Sequence, residues 1–223
     1  MRRLVVESVS YQISKPKMTI INQVTVEFLP GKVYHVLGGP QSGKSTLLSL
    51  LAGLEICTEG TIYFDEVDLA KIDREAYRAE NVVCLFESGN LVKDTPLANL
   101  ELAALLAGQP VKSSELKKIL LATGLTPQQI KTPITKLSKE DQQLVLFAKI
   151  MASESKLVLI DEPEQLFSEW LETDLLQKLT DFCRKKEKCL IIASQGKQTI
   201  KFADELWGLN GGKLLFIKEQ QID

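Results

Sequence analysis

Histidine is almost missing from this sequence: 223 residues contain one, His35. A zinc site built on two or three histidines is therefore excluded. Cysteine is scarce as well. Cys57, Cys84, Cys183 and Cys189 form no CxxC pair, which points away from a disulfide scaffold and toward reduced, mostly buried thiols of a cytosolic protein. No window approaches 18 uninterrupted apolar residues, so the chain is not expected to span a bilayer, and any membrane spans belong to another subunit. The start, Met1-Arg2-Arg3-Leu4-Val5-Val6-Glu7, carries two basic residues, but a charge cuts its apolar stretch too early for a signal peptide. An excess of one charge is lacking too. Lys plus Arg number 27 and Asp plus Glu 29, a net charge of -2, so no global basic surface exists to bind nucleic acid or an acidic membrane.

What is present is ordinary for a folded protein. Hydrophobic residues make up 44% and charged residues 25%, and the length suits one or two domains with a sizeable core. Residues 4–9 and 19–28 are rich in β-branched side chains and read as strands. Pro30-Gly31 reads as a turn, and residues 33–37 as a short buried strand running into Gly38-Gly39-Pro40. A helix is expected over 45–53 and strands over 61–64 and 81–86. Residues 97–107, 114–122 and 138–151 read as three helices with no strand between them, which suggests a helical insert. Residues 157–160 and 190–193 are compact buried strands on either side of a helix over 168–186. Asn210-Gly211-Gly212 marks a hairpin. Alternating strands and helices imply a largely parallel α/β sheet, with an antiparallel portion near the N-terminus. The charged residues 184–188 read as a solvated helix end.

Gly38-Gly39-Pro40-Gln41-Ser42-Gly43-Lys44-Ser45 fits GxxxxGK[ST], lying between a buried strand and a helix. Glycines let the backbone curl so that successive N–H groups point at phosphate oxygens, and the helix N-terminus adds positive potential. Lys44 can reach the β- and γ-phosphates, and the Ser45 hydroxyl can ligate Mg²⁺. Thr46 completes the expected nucleotide-binding stretch. The second half of such a site is a carboxylate at a strand tip, supplied by Leu157-Val158-Leu159-Ile160-Asp161-Glu162. Asp161 would hold Mg²⁺ through water, and Glu162 would stand beside the γ-phosphate as general base.

In the order of these motifs the chain resembles the ATP-binding cassette (ABC) family over nearly its whole length. The particular likeness is to the single-domain ATPase subunits of the bacterial lipoprotein-release, macrolide-export and cell-division type. The segment from Asn90 to Gly108 carries that flavour, and Leu137-Ser138-Lys139-Glu140-Asp141-Gln142-Gln143 occupies the slot of the LSGGQ signature. In the family this helix start grips the γ-phosphate held by a second subunit. Here the two glycines are Lys139 and Glu140, and Asp141 follows. The resemblance places three further departures. The Q-loop glutamine falls on Glu87, a third candidate Mg²⁺ ligand beside Ser45 and Asp161. The switch histidine falls on Gln195, since His35 precedes the phosphate loop. The D-loop aspartate falls on Ser168. For the residue that stacks on adenine, Tyr11 is the nearby aromatic, although strict register points to Ile13.

The resemblance thus implies a P-loop NTPase fold of ABC type. Residues 1–87 and 156–223 would form a RecA-like ATP-binding core with an antiparallel β portion, and 88–155 a helical subdomain. Lys44, Glu162 and Gln195 are the expected catalytic residues, with ATP and Mg²⁺ as ligands. The implied function is the ATP-binding subunit of a transporter-type complex on the cytoplasmic face of the cell membrane. Its partners would be a permease-type membrane subunit, docked near residues 86–95, and a second ATP-binding subunit, identical or different. Hydrolysis is expected to be slow or partner-dependent. The alternative is a module that binds ATP as a structural or regulatory ligand without cleaving it.

Overall fold

A computed structural model describes residues 3–15, 17–86, 91–109, 111–166 and 169–219. Among these residues ten strands form two sheets. The first is antiparallel, ordered β2-β1-β4-β5, from β1 (Leu4–Ser14), β2 (Lys17–Phe28), β4 (Glu59–Phe64) and β5 (Val67–Asp68). The second is ordered β10-β9-β3-β8-β7-β6. It contains β3 (Val33–Leu37), β6 (Val82–Leu85), β7 (Leu157–Asp161), β8 (Cys189–Ser194), β9 (Glu205–Asn210) and β10 (Lys213–Glu219). Within it β6, β7, β8, β3 and β9 run parallel, and β10 closes the edge as an antiparallel hairpin with β9.

The period-2 geometry of a strand explains why the central runs are apolar throughout. In β7, Leu157 and Leu159 enter one core while Val158 and Ile160 enter another. In β8, Cys189, Ile191 and Ala193 face the first core, and Leu190 and Ile192 the second. A strand covered on both faces cannot alternate polar and apolar residues. The first core is closed by α1 (Lys44–Leu51). Its Leu47, Leu48, Leu50 and Leu51 are buried together with Leu4, Val6 and Ile62 of the antiparallel sheet and with Tyr34 and Val36 of the parallel one. Each such leucine contributes about 2 kcal/mol of burial, and the helix that follows the phosphate loop is thereby fixed against both sheets.

Two further helices precede the middle of the chain: α2 (Arg74–Asn81) and α3 (Pro96–Leu106). The first is not expected from apolar periodicity, because Tyr77 is its one buried residue. It is held instead by the Asp73 cap, which accepts from the Glu75 and Ala76 N–H groups, and by Tyr77 Oη donating to the Leu51 carbonyl at 2.9 Å. Next come α4 (Ser113–Ala122) and α5 (Lys139–Ala152). Leu100, Leu116, Leu120, Val145 and Ala148 of α3, α4 and α5 form a third core. Leu146, Phe147 and Ile150 of α5 turn the other way into the second core, so α5 is apolar on two faces and joins the helical layer to the sheet. A short α6 (Pro163–Leu166) and a long α7 (Glu169–Lys185) follow β7.

The charged stretch 184–188 is not a solvated helix end throughout. Arg184 donates to the Phe202 carbonyl at 2.9 Å and pairs with Asp204 at 3.2 Å. Lys188 is buried, and its Nζ donates to the Ser153 and Ser155 carbonyls. Burial lowers its pKa to about 8. Among the described residues no helix is long and apolar enough to cross a membrane. Cys183 and Cys189 are buried, Cys57 and Cys84 half-buried, and all four are free thiols.

Candidate functional site

The site lies where β3, β7 and β8 end, at the carboxyl edge of the parallel sheet, the place such sheets reserve for ligands. From β3 the chain turns through 38–43, and the Gly38 N–H donates to the Ser194 carbonyl at 3.1 Å. Two glycines make the turn possible. A Cβ on Gly38 would stand 2.4 Å from Ser42 Oγ and 2.7 Å from the Leu209 carbonyl oxygen. Gly43, the N-cap of α1, has φ 103°, in the left-handed region that side chains disfavour. Gln41 sits there too, at φ 56°. Ser42 Oγ is buried with no hydrogen-bond partner among the described residues. A curled loop at a helix start with an unsatisfied inward hydroxyl is the donor set a phosphate requires.

Lys44 is buried, 5% exposed. Its Nζ donates to the Gly38 and Gly39 carbonyls at 2.9 and 3.0 Å and pairs with Glu162 Oε1 at 3.0 Å. Glu162 follows β7 in a left-handed conformation, φ 46°, with its N–H donating to the Ala193 carbonyl at 2.8 Å. Gln195, just past β8, closes over it: the backbone N–H reaches Glu162 Oε2 at 3.1 Å, and Nε2 reaches Oε1 at 3.3 Å. Burial pushes the Glu162 pKa up, but the Lys44 ammonium and the Gln195 N–H outweigh it and hold the group below its ordinary value. Asp161 is buried at the tip of β7, paired in register with Ala193.

These groups border a cleft of about 450 Å³, a volume suited to a nucleotide-sized ligand. Of the expected residues, Pro40, Gln41, Ser42, Gly43, Lys44, Ser45, Thr46, Glu162 and Gln195 line it. Gly38 and Gly39 contribute the carbonyls that hold Lys44. Met18, Ile20 and Gln165 also line it and were not anticipated. Met18 and Ile20 share a face of β2 by period 2, a signal present in the sequence. Tyr11 is not among the residues that border this cleft. Its hydroxyl donates to Glu55 Oε2 at 3.0 Å, and its register partner is the core residue Ile21. Irregular pairing of β1 between Val6 and Gln12 sets this orientation, and Ile13 is the residue opposite Met18. Glu87 and Ser168 lie outside the described residues.

The signature-like segment is a well-formed helix start. Ser138 Oγ accepts the Asp141 N–H at 3.0 Å, while Lys139 and Glu140 are exposed and Asp141 half-buried. None of them lines the cleft.

His35 stands behind the site, fully buried. Its Nε2 lies 3.1 Å from Ser194 Oγ and its Nδ1 3.1 Å from Thr199 Oγ1, while the Ser194 hydroxyl donates to the Gly196 carbonyl at 2.9 Å. That last bond leaves Ser194 Oγ to accept from Nε2–H and Nδ1 to accept from Thr199. Burial lowers the His35 pKa to about 4, against the pull of Glu162. The folded state thus resists a proton that the unfolded chain takes near pH 6.5. Stability from this residue is complete above pH 6.5 and is lost as the pH falls toward 4, by about 3 kcal/mol. Denaturant unfolding at pH 7 and pH 4.5 should show His35→Gln losing less stability on acidification than the parent. Equal losses would refute the assignment.

Comparisons with known proteins agree with this geometry. The sequence profile of the ABC transporter family matches residues 21–165. An uncharacterised ABC transporter ATP-binding protein of Bacillus subtilis is 27% identical over 201 residues, 89% of each chain. The lipoprotein-releasing system ATP-binding protein LolD of Legionella pneumophila is 28% identical over 211 residues, 92% of each. The ATP-binding cassette MJ0796, solved as a dimer in a post-hydrolysis state with ADP and Pi, superposes with a TM-score of 0.86 over 99% of both chains at 19% identity. The chain belongs to the ABC transporter family, and its fold is that of an ATP-binding cassette.

Proposed function

We propose that the chain is the ATPase subunit of a transporter-type complex. It binds MgATP at the phosphate loop, pairs with a second ATP-binding subunit and hydrolyses slowly or only with its partners. The observation that carries this reading is the contact of Lys44 with Glu162 beneath Gln195, which joins the phosphate-binding half of the site to a base. The loop N–H groups and Ser42 Oγ would hold phosphate oxygens. Ser45 and Asp161 would hold Mg²⁺, which supplies charge neutralisation between the β- and γ-phosphates. Lys44 would exchange Glu162 for phosphate, leaving the Glu162 carboxylate to take a proton from water. Gln195 can hydrogen-bond the phosphate but supplies no positive charge, in keeping with slow turnover.

The helical layer, 88–155, is proposed to move against the core. Its α3 exposes Leu105 and Leu106 beside a groove of about 230 Å³ that is bordered by Arg78, Cys84, Ala103 and Lys149. An apolar, partly cationic face of this kind suits a membrane subunit's cytoplasmic segment. In this role the chain would sit at the cytoplasmic face of the membrane, and no nucleic-acid partner is proposed. Nucleotide binding and phosphate release should be measured for the chain alone and with its membrane subunit. Binding in both settings, with release faster in the complex, supports the proposal. Binding without any release in the complex would establish the non-hydrolysing module instead.

A further inference from the structure

The carboxyl that ties the loop after β8 to α6 belongs to neither half of the phosphate site. Glu164, on α6, accepts the N–H of Gln195 at 3.2 Å and of Gly196 at 3.0 Å, both through Oε1. Oε2 of Glu164 is buried and has no hydrogen-bond partner among the described residues. Burial above all, with Glu162 alongside, raises the Glu164 pKa. The approach is tight: a Cβ on Gly196 would stand 2.6 Å from Gln198 Oε1 and 3.2 Å from Glu164 Oε1. From the opposite side the same turn is held by Ser194 Oγ, which donates to the Gly196 carbonyl.

We propose that Glu164 is a positioning residue, one carboxyl that clamps the Gln195–Gly196 backbone, so that Gln195 stays in register with Glu162 over the phosphate loop. The clamp does mechanically what the neutral Gln195 side chain cannot do by charge. Its value for turnover rests on the ATPase reading above; its effect on the loop does not.

Two readouts separate these. Amide hydrogen exchange at Gln195 and Gly196 should be compared in the full chain, the Glu164→Ala variant and the Glu164→Gln variant. Steady-state hydrolysis should be measured for the same three chains with the membrane subunit bound. Glu164→Ala is expected to speed exchange at the two amides about tenfold or more, the equivalent of one or two lost hydrogen bonds. It should lower kcat by about tenfold while the KM for ATP stays within about twofold. Glu164→Gln should restore both, because the amide oxygen still accepts the two N–H groups. Glu164→Asp, one methylene short, should fall between them and serves if the alanine variant does not fold. Unchanged exchange in Glu164→Ala and Glu164→Asp, or a glutamine variant as impaired as alanine, would overturn the clamp. Altered exchange with no hydrolysis by the parent complex would uphold the clamp and sink the ATPase reading.

Discussion

Replacing Glu162 by Gln is expected to cut phosphate release by about 10²- to 10⁴-fold, the usual contribution of a positioned general base, while leaving ATP bound. The expectation follows from geometry. The carboxylate is held by Lys44 Nζ at 3.0 Å and by the Gln195 N–H at 3.1 Å. Glutamine keeps the volume and can still accept one of those bonds, so the phosphate loop should not collapse. It cannot take a proton from water. It also removes the anion that competes with phosphate for Lys44, so ATP affinity should hold or increase. Single-turnover phosphate release in the assembled complex, beside a direct binding titration, decides the matter. A variant with parental release would remove Glu162 from the chemistry.

The phosphate loop and the acidic strand tip were readable because each is encoded within a few consecutive residues and flanked by a buried run. The core strands were readable for a related reason: β7 and β8 are apolar at every position because both faces are covered. Other features depend on partners remote in sequence. Irregular pairing along β1 goes with the Tyr11 hydroxyl reaching Glu55, and no local pattern announces a bulge. Lys188 reads as one more charge in a basic run until β8 carries it beneath the Ser153 and Ser155 carbonyls. Glu164 reads as part of an acidic turn, and its meaning appears only when the loop after β8 is laid beside it. His35 could be counted in the sequence and ruled out as the switch residue. Its place beneath Ser194, bracing the turn that contains the switch position, required the β3–β8 pairing.

Restoring neutral residues at the start of α5 is expected to strengthen ATP-dependent dimerisation by at most about fivefold. The first turn of this helix carries Glu140 and Asp141. If it faces a partner's γ-phosphate, as the family resemblance implies, a carboxylate about 5 Å away costs about 3 kcal/mol at an effective dielectric near 20. Lys139 offsets part of that cost, and glycines in the first turn cost about 1 kcal/mol each in helix propensity. The triple substitution Lys139→Gly, Glu140→Gly and Asp141→Gln therefore gains less than the bare Coulomb figure. The Ser138 cap survives, because it accepts a backbone N–H. Sedimentation with ATP, in the Glu162→Gln background so that nucleotide persists, measures the gain. A dimer no tighter than the parent would mean that this helix start does not meet phosphate.

The placement of β3 also governs when the site can come into being. Its parallel neighbours are β8 and β9, and His35 touches Ser194 across a sequence separation of 159. Contacts of such separation make folding slow, because a long loop must close before the contact stabilises anything. During synthesis the phosphate-loop motif emerges early, yet the strand that presents it has no sheet neighbours until β8 and β9 follow. A nascent chain that stalls before β8 holds the whole glycine-rich motif with nothing to hold it in shape. It also exposes apolar strand edges that invite aggregation. Nucleotide binding in this chain is therefore a late event of folding, and a ligand-binding signal during refolding would report completion of the central sheet rather than formation of the loop.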